Sequence, residues 1–247
     1  MIAVAIAAFA GCILSVSLVG LAGVHLDASV DDVRTQEGDS TASDGGTLLP
    51  PEDGNSPPAP DAGERLLFDD EFDASALSSD WTVVAGNWAV SGGTAAQTDA
   101  SAGLAFMFVP SLAPLDDYRV VTSMRQLGGS PGGAIEIDFR VQPTPPHAQY
   151  ICNWEPNDRE FLIMYTNPGA DSLVLVDVAV PAPPGYDPNM AITMELVVHG
   201  DSIRCRLLEI PGAVGAISDS RLSGGSVGLK TYAMSATFDY FRVYEAK

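Results

Sequence analysis

The feature that most constrains this chain is a two-residue rhythm. In Ala134–Val141, Ile135, Ile137, Phe139 and Val141 alternate with Glu136, Asp138 and Arg140. An extended backbone puts the first set on one face and the second on the other. In Tyr118–Gln126, Tyr118, Val120 and Met124 stand opposite Arg119, Val121, Ser123 and Arg125. Short runs rich in Val, Ile, Phe and Tyr recur from Leu66 onward between Gly, Pro, Asn and Asp. They predict strands at Leu66–Phe72, Trp81–Ala85, Asn87–Val90, Thr94–Thr98, Leu104–Val109, Tyr118–Leu127 and Ala134–Gln142. Further strands are expected at Gln149–Trp154, Glu160–Tyr165, Leu173–Val180, Ala191–Val198, Ser202–Leu208, Val227–Thr231 and Ala236–Tyr244. No stretch carries a sustained helical period with caps. The expected class is therefore all-β, a sandwich or barrel.

The punctuation agrees. His199-Gly200-Asp201 reads as a hairpin turn, because Gly200 tolerates the positive φ that tight turns need. Gly132-Gly133 and Gly224-Gly225 are similar breaks. Pro143-Thr144-Pro145-Pro146 and Pro181-Ala182-Pro183-Pro184 lack the ladder donors of a central strand and read as loops able to line a site.

The first 64 residues are different material. Ile2–Leu26 contains no Asp, Glu, Lys or Arg. As a helix it would be about 37 Å long, enough to cross a bilayer core of about 30 Å. Residues 1–26 thus read as a signal peptide, with Gly20-Leu21-Ala22 as a cleavage site, or as an N-terminal membrane anchor. Phe9-Ala10-Gly11-Cys12 resembles a lipobox, in which Cys12 would carry the lipid. All three readings export the chain, and the membrane would be met only through residues 1–26. Residues 27–64 hold ten acidic residues against Arg34 alone, with Pro50, Pro51, Pro57, Pro58 and Pro60. Such a segment buries too little surface to offset the entropy of ordering and reads as a disordered, extended acidic linker. The folded domain is expected at 65–247.

Charge excludes several functions. Lys plus Arg number 12 against 32 Asp plus Glu, a formal charge of −20. No basic surface is available for phosphate, which argues against nucleic acid as a partner. Three Cys and three His are too few for a zinc-finger array. His25, His147 and His199 fall in a leader, a proline loop and a turn, a poor basis for a Ser-His-Asp triad. Cys152 and Cys205 lie in expected strands of an exported domain. A disulfide is the first reading, with a reactive thiol or a metal pair as alternatives.

Phe68-Asp69-Asp70-Glu71-Phe72, Trp81 and Gly86–Gly93 resemble the opening of concanavalin A-like lectin/glucanase domains. Gly133–Gln142 followed by Tyr150 is similar to their paired central strands, and so is the hairpin Val197–Ile203. Gly225–Lys230 and Phe238–Tyr244 are similar to their closing strands. The resemblance implies an antiparallel jelly-roll β-sandwich of two curved sheets, with about 12–14 strands. The superfamily holds lectins, laminin-G-like modules and family-16 glycoside hydrolases, so the fold alone does not select a function.

The hydrolases of that superfamily carry Glu-x-Asp-x-Glu on one strand face. This chain has Glu136, Asp138 and then Arg140. Arg cannot donate a proton to a leaving sugar, so Glu136 and Asp138 are weak catalytic candidates. Glu155 or Glu160 would have to supply the missing acid, and nothing in the sequence marks either. The same residues also read as a solvated charge ladder or as a sugar-binding strip. The binding set is then Glu136, Asp138 and Arg140, with Arg125 from a neighbouring strand and Trp154 as an exposed aromatic platform. Trp81 and Trp88 read as core. The resemblance also implies a structural calcium ion held by Asp239, with Asp70, Glu71 and a carbonyl near Gly92. The expected partner is an extracellular polysaccharide or surface glycan, bound without catalysis. Sugar hydrolysis and a purely structural adhesion role are the alternatives.

Overall fold

A computed structural model describes residues 63–246. The leader with Cys12, and the linker up to residue 62, lie outside the described residues. Thirteen strands account for most of the remainder. They are β1 (Arg65–Asp70), β2 (Thr82–Ala85), β3 (Trp88–Val90), β4 (Ala95–Gln97), β5 (Ala105–Phe108), β6 (Tyr118–Val141) and β7 (Gln149–Glu155). After these come β8 (Glu160–Thr166), β9 (Leu173–Ala179), β10 (Ile192–His199), β11 (Ser202–Leu207), β12 (Val214–Ser218) and β13 (Ser226–Glu245). A single 3-10 turn, Pro110–Leu112, is the helical element among the described residues.

Two long strands organise the molecule. β6 and β13 pair antiparallel from Ser226 opposite Val141 to Glu245 opposite Tyr118. Each passes through both layers of the sandwich. The front sheet runs β9-β8-β7-β6-β13-β5-β2 and uses the C-terminal half of β6 with the N-terminal half of β13. The back sheet runs β12-β11-β10-β6-β13 and uses the other halves, with β1 and β4 end to end on the far edge of β13 and β3 beyond β4. The shared bend falls at Gly128–Gly133 on β6 and at Tyr232–Met234 on β13, where the register shifts and Ala233 takes φ 46°. A Cβ at Gly133 would lie 2.9 Å from the Ala233 carbonyl oxygen, so this crossing requires a residue without one.

The two expected strands on either side of Gly132-Gly133 are therefore one continuous strand, as are Val227–Thr231 and Ala236–Tyr244. β12 has no counterpart among the expected strands. It is short, and its centre is Gly215-Ala216, a weak strand signal.

The core lies between the sheets. Ile135, Ile137, Phe139, Tyr150, Cys152, Trp154, Phe161 and Ile163 of the front sheet meet Val120, Met124, Met194, Leu196, Val198, Ile203, Cys205 and Phe241 of the back sheet. A Cys152–Cys205 disulfide ties β7 to β11 across this layer, with 6.1 Å between Cα atoms. Trp81 is core, packed against Phe68, Phe72 and Phe241, and its indole N–H donates to Asp70 Oδ2 at 2.8 Å. Trp88 packs on Phe238.

Candidate functional site

The outward face of the front sheet carries the residues that alternate with the core. Cross-strand register arranges them in rows. In one row Phe106, Lys230, Glu136, Asn153 and Leu162 stand directly opposite one another on β5, β13, β6, β7 and β8. In the next row stand Phe108, Gly228, Asp138, Ile151 and Met164. Gly228 is fixed by close approach: a Cβ there would lie 2.3 Å from the Met107 carbonyl oxygen.

A groove of about 840 Å³ opens over this face. Its floor includes Glu136, Gln149, Ile151, Asn153 and Lys230. One wall is Pro145, Pro146 and His147 of the β6–β7 loop, so this proline cluster does line the site. The His147 ring lies against Phe108 and Phe106, at 5.1 and 6.1 Å between centroids. Val84, Leu104 and Tyr232 form an exposed lip, and Tyr232 keeps 51% of its surface free.

At the floor is a buried charge cluster. Lys230 Nζ lies 2.6 Å from Glu136 Oε2 and 3.6 Å from Asp138 Oδ1. The Asn153 amide donates to Glu136 Oε1 at 2.7 Å. Asp138 is completely buried, beside Lys230 and Gln149. Burial pushes its carboxyl up to about 7, against the pull of Lys230 and with the push of Glu136. Burial acts to lower the Lys230 pKa, but the two carboxylates outweigh it and the net direction is upward. Glu155, half-buried at one end of the groove, is raised to about 7 by burial and by Glu160, Asp158, Glu136 and Asp177 around it.

The structure keeps part of the expected strip and disperses the rest. Glu136 lines the groove and Asp138 lies beneath it. Arg140 leaves this face. It takes φ 49° at a bulge where the β6–β13 register slips, and its guanidinium reaches the carbonyls of Leu222, at 2.7 Å, and of Gly200 in the β10–β11 turn. The cation partnering Glu136 and Asp138 is Lys230, which only the long-range pairing of β13 with β6 brings there. Trp154 is core rather than an exposed platform: it is 1% exposed and packs against Tyr186. Arg125 is exposed on the back sheet opposite Thr237, away from the groove.

The carboxyl groups expected to hold calcium each have a protein partner. Asp70 accepts hydrogen bonds from Trp81 and from the Phe72 N–H, Glu71 is ion-paired with Arg242, and Asp239 accepts from the Ser123 hydroxyl at 2.7 Å. Gly92 lies in the β3–β4 turn at φ 64°, where a Cβ on the adjacent Gly93 would lie 3.7 Å from Asp73 Oδ1. Among the described residues no three His, Cys, Asp or Glu converge as metal ligands.

Lys230, Tyr232, Asn153, Gln149, Phe106 and His147 join the site although no local sequence motif marks them as binding residues. Strand parity is the one signal that reaches Asn153 and Gln149, since they alternate with the inward Tyr150, Cys152 and Trp154.

No protein-family profile matches the chain, and no curated protein matches it. Its fold is similar to many solved structures. The carbohydrate-binding module CBM66 from Bacillus subtilis superposes with TM-score 0.54 at 21% identity, over 64% of this chain and 91% of that one. A galectin-like protein of unknown function from Bacillus subtilis gives TM-score 0.57 at 12% identity, over 74% and 97%. The catalytic domain of an endo-1,3-beta-glucanase (laminarinase) from Thermotoga petrophila gives 0.53 at 13%, over 74% and 98%. The chain thus has the concanavalin A-like lectin/glucanase jelly-roll fold.

Proposed function

We propose that the front-sheet groove binds a glycan without cleaving it. The observation that carries this reading is the make-up of the groove. A sheet face bearing planar amides and carboxyl groups lies between walls of Phe106, His147, Pro145, Pro146 and Tyr232. A sugar ring has hydroxyls at its edge and apolar C–H faces, so such a groove matches both surfaces. The solved structures of like fold, a carbohydrate-binding module among them, support the reading. So does the loss of the Glu-x-Asp-x-Glu face: Arg140 stands at its third position and turns away. The chain is exported through residues 1–26, and the acidic segment 27–64 holds the domain away from its attachment, at a cell surface or in the extracellular space. A secreted reporter fused behind residues 1–26 tests the export step.

The binding test is a glycan-array screen of the full chain beside Tyr232→Ala. Saturable binding that weakens about tenfold in the variant is expected for loss of an aromatic contact. Absence of binding to every glycan would overturn the proposal. Equal binding by the variant would remove the site from this groove.

One observation favours hydrolysis as the second reading. Glu155, raised to about 7 on the groove wall, holds a proton near neutrality as a general acid must. Its partner would be Glu136, which is instead bound to Lys230 and Asn153. Incubating any bound oligosaccharide and looking for shortened products, with Glu155→Gln as control, decides between the two.

A further inference from the structure

Resting on the glycan-binding reading of this groove, we propose that it takes oligosaccharides that donate hydrogen bonds and carry no negative charge. Neutral and amino-bearing chains are admitted, and uronate or sulfated chains are refused. The polar groups of the lining carry this preference. Its basic side chains are Lys230 and His147. Lys230 faces two carboxyl groups, Glu136 and Asp138, so the cluster is at most neutral and offers no positive charge to a ligand. His147 Nδ1 lies 2.6 Å from the Gln142 carbonyl oxygen. That oxygen can only accept, so Nδ1 carries the proton, and in the neutral ring Nε2 is an acceptor.

The amides point the same way. Asn153 is 3% exposed; its NH2 donates to Glu136, and its Oδ1 has no hydrogen-bond partner. Gln149 is 7% exposed; it favours the charged form of Asp138, as its NH2 does when turned toward that carboxyl, and its Oε1 has no partner. Two buried oxygens in the groove lining thus lack donors, and buried acceptors without donors are costly. Each is closed to solvent in this structure, and a turn of its amide toward the groove would let a ligand hydroxyl or ammonium satisfy it. Gln149 and Asn153 are four residues apart on one strand face, about 13 Å at roughly 3.3 Å per residue. That span exceeds one sugar ring and calls for an oligomer. Glu155 closes one end of the groove with a further carboxyl group. An incoming carboxylate or sulfate would find the Lys230 cation already matched and would lose water beside carboxyl groups, the repulsive half of a specificity device.

The test is titration calorimetry of the full chain with hexamers of three kinds: neutral β-glucosides or galactosides, glucosamine, and galacturonate. Each is run in dilute buffer and in about 0.5 M salt, where the Debye length falls to a few ångströms and the overall charge of −20 is screened. The expected result is binding of a neutral or glucosamine hexamer at least about tenfold tighter than galacturonate, at both salt concentrations. Glu155→Gln should narrow the gap. Galacturonate bound as tightly as the best neutral hexamer in high salt would overturn this inference while leaving the glycan-binding reading standing. Preference for galacturonate lost only on adding salt would also overturn it. No binding by any hexamer, nor by any glycan on the array, would overturn both.

Discussion

Replacing Lys230 by Met tests the charge cluster at the groove floor. Lys230 is 6% exposed, and it faces Glu136 at 2.6 Å and Asp138 at 3.6 Å. Met keeps most of the stem and removes the charge. The two carboxyl groups are then buried without a cation, and breaking a buried pair in this way costs about 3–5 kcal/mol. For a domain of this size each kcal/mol moves the melting temperature by about 2–4 °C, so a fall of roughly 6–20 °C is expected. The cost should grow with pH. At pH 5 carboxyl groups deprived of their cation can take up protons on folding; at pH 8 they must ionise or bind protons against the gradient. Guanidinium unfolding of the wild type and of Lys230→Met, at both pH values, measures this. A triple variant, Lys230→Met with Glu136→Gln and Asp138→Asn, separates charge from packing. It should recover most of the loss, because neutral isosteres leave no buried charge behind. A loss below about 1 kcal/mol at pH 8 would mean that the cluster is solvated, as surface pairs are. A triple variant as unstable as the single one would trace the loss to packing of the Lys stem. Either result would refute the reasoning.

Other named contacts set three further expectations. The folded-state pKa of Asp138 is raised to about 7, so as pH rises from about 4 the unfolded chain releases this proton and the folded chain retains it. Wild-type stability should therefore fall relative to Asp138→Asn between pH 4 and 7 and run parallel above, as read from paired unfolding curves. Reducing the Cys152–Cys205 disulfide frees a loop with a sequence separation of 53 and should lower stability by about 4 kcal/mol in the chain-entropy model, measured by unfolding with and without reductant. Gly228→Ala drives a Cβ against the backbone of β5, at Met107 and Phe108, and should destabilise by about 1–3 kcal/mol or more, read as a drop in denaturation midpoint.

Whatever depends on near neighbours was legible in the sequence. Alternation located strands and faces, and proline and glycine located breaks. The Gly132-Gly133 break shows the limit of that signal. Glycine marks both a turn that ends a strand and a bend that carries one strand between two sheets, and only the partner strand distinguishes them. Lys230 shows the limit for the site. Its place beside Glu136 depends on the pairing of two strands far apart in sequence, and no local pattern encodes that register. Arg140 departs for a local reason invisible to alternation: a bulge residue at positive φ breaks the two-residue period, so parity holds up to Phe139 and not beyond.

Trp154 is different, because its correct placement is implied by the sequence. Cys152 and Trp154 are two residues apart and share a strand face. A disulfide between two strands that belong to different sheets of a sandwich must cross the space between those sheets, so both cysteines face inward. Accepting the Cys152–Cys205 bond in a two-sheet fold therefore commits Trp154 to the core, where it lies. The same step sends the intervening Asn153 outward beside Glu136, and it places Tyr150 inward and Gln149 and Ile151 at the groove. One covalent constraint thus fixes the polarity of β7, and with it which residues of the front sheet can touch a ligand. A tryptophan is the largest apolar side chain the strand has. Placed on the outer face it would leave a broad apolar surface in water, and on the inner face it fills the layer that the disulfide spans.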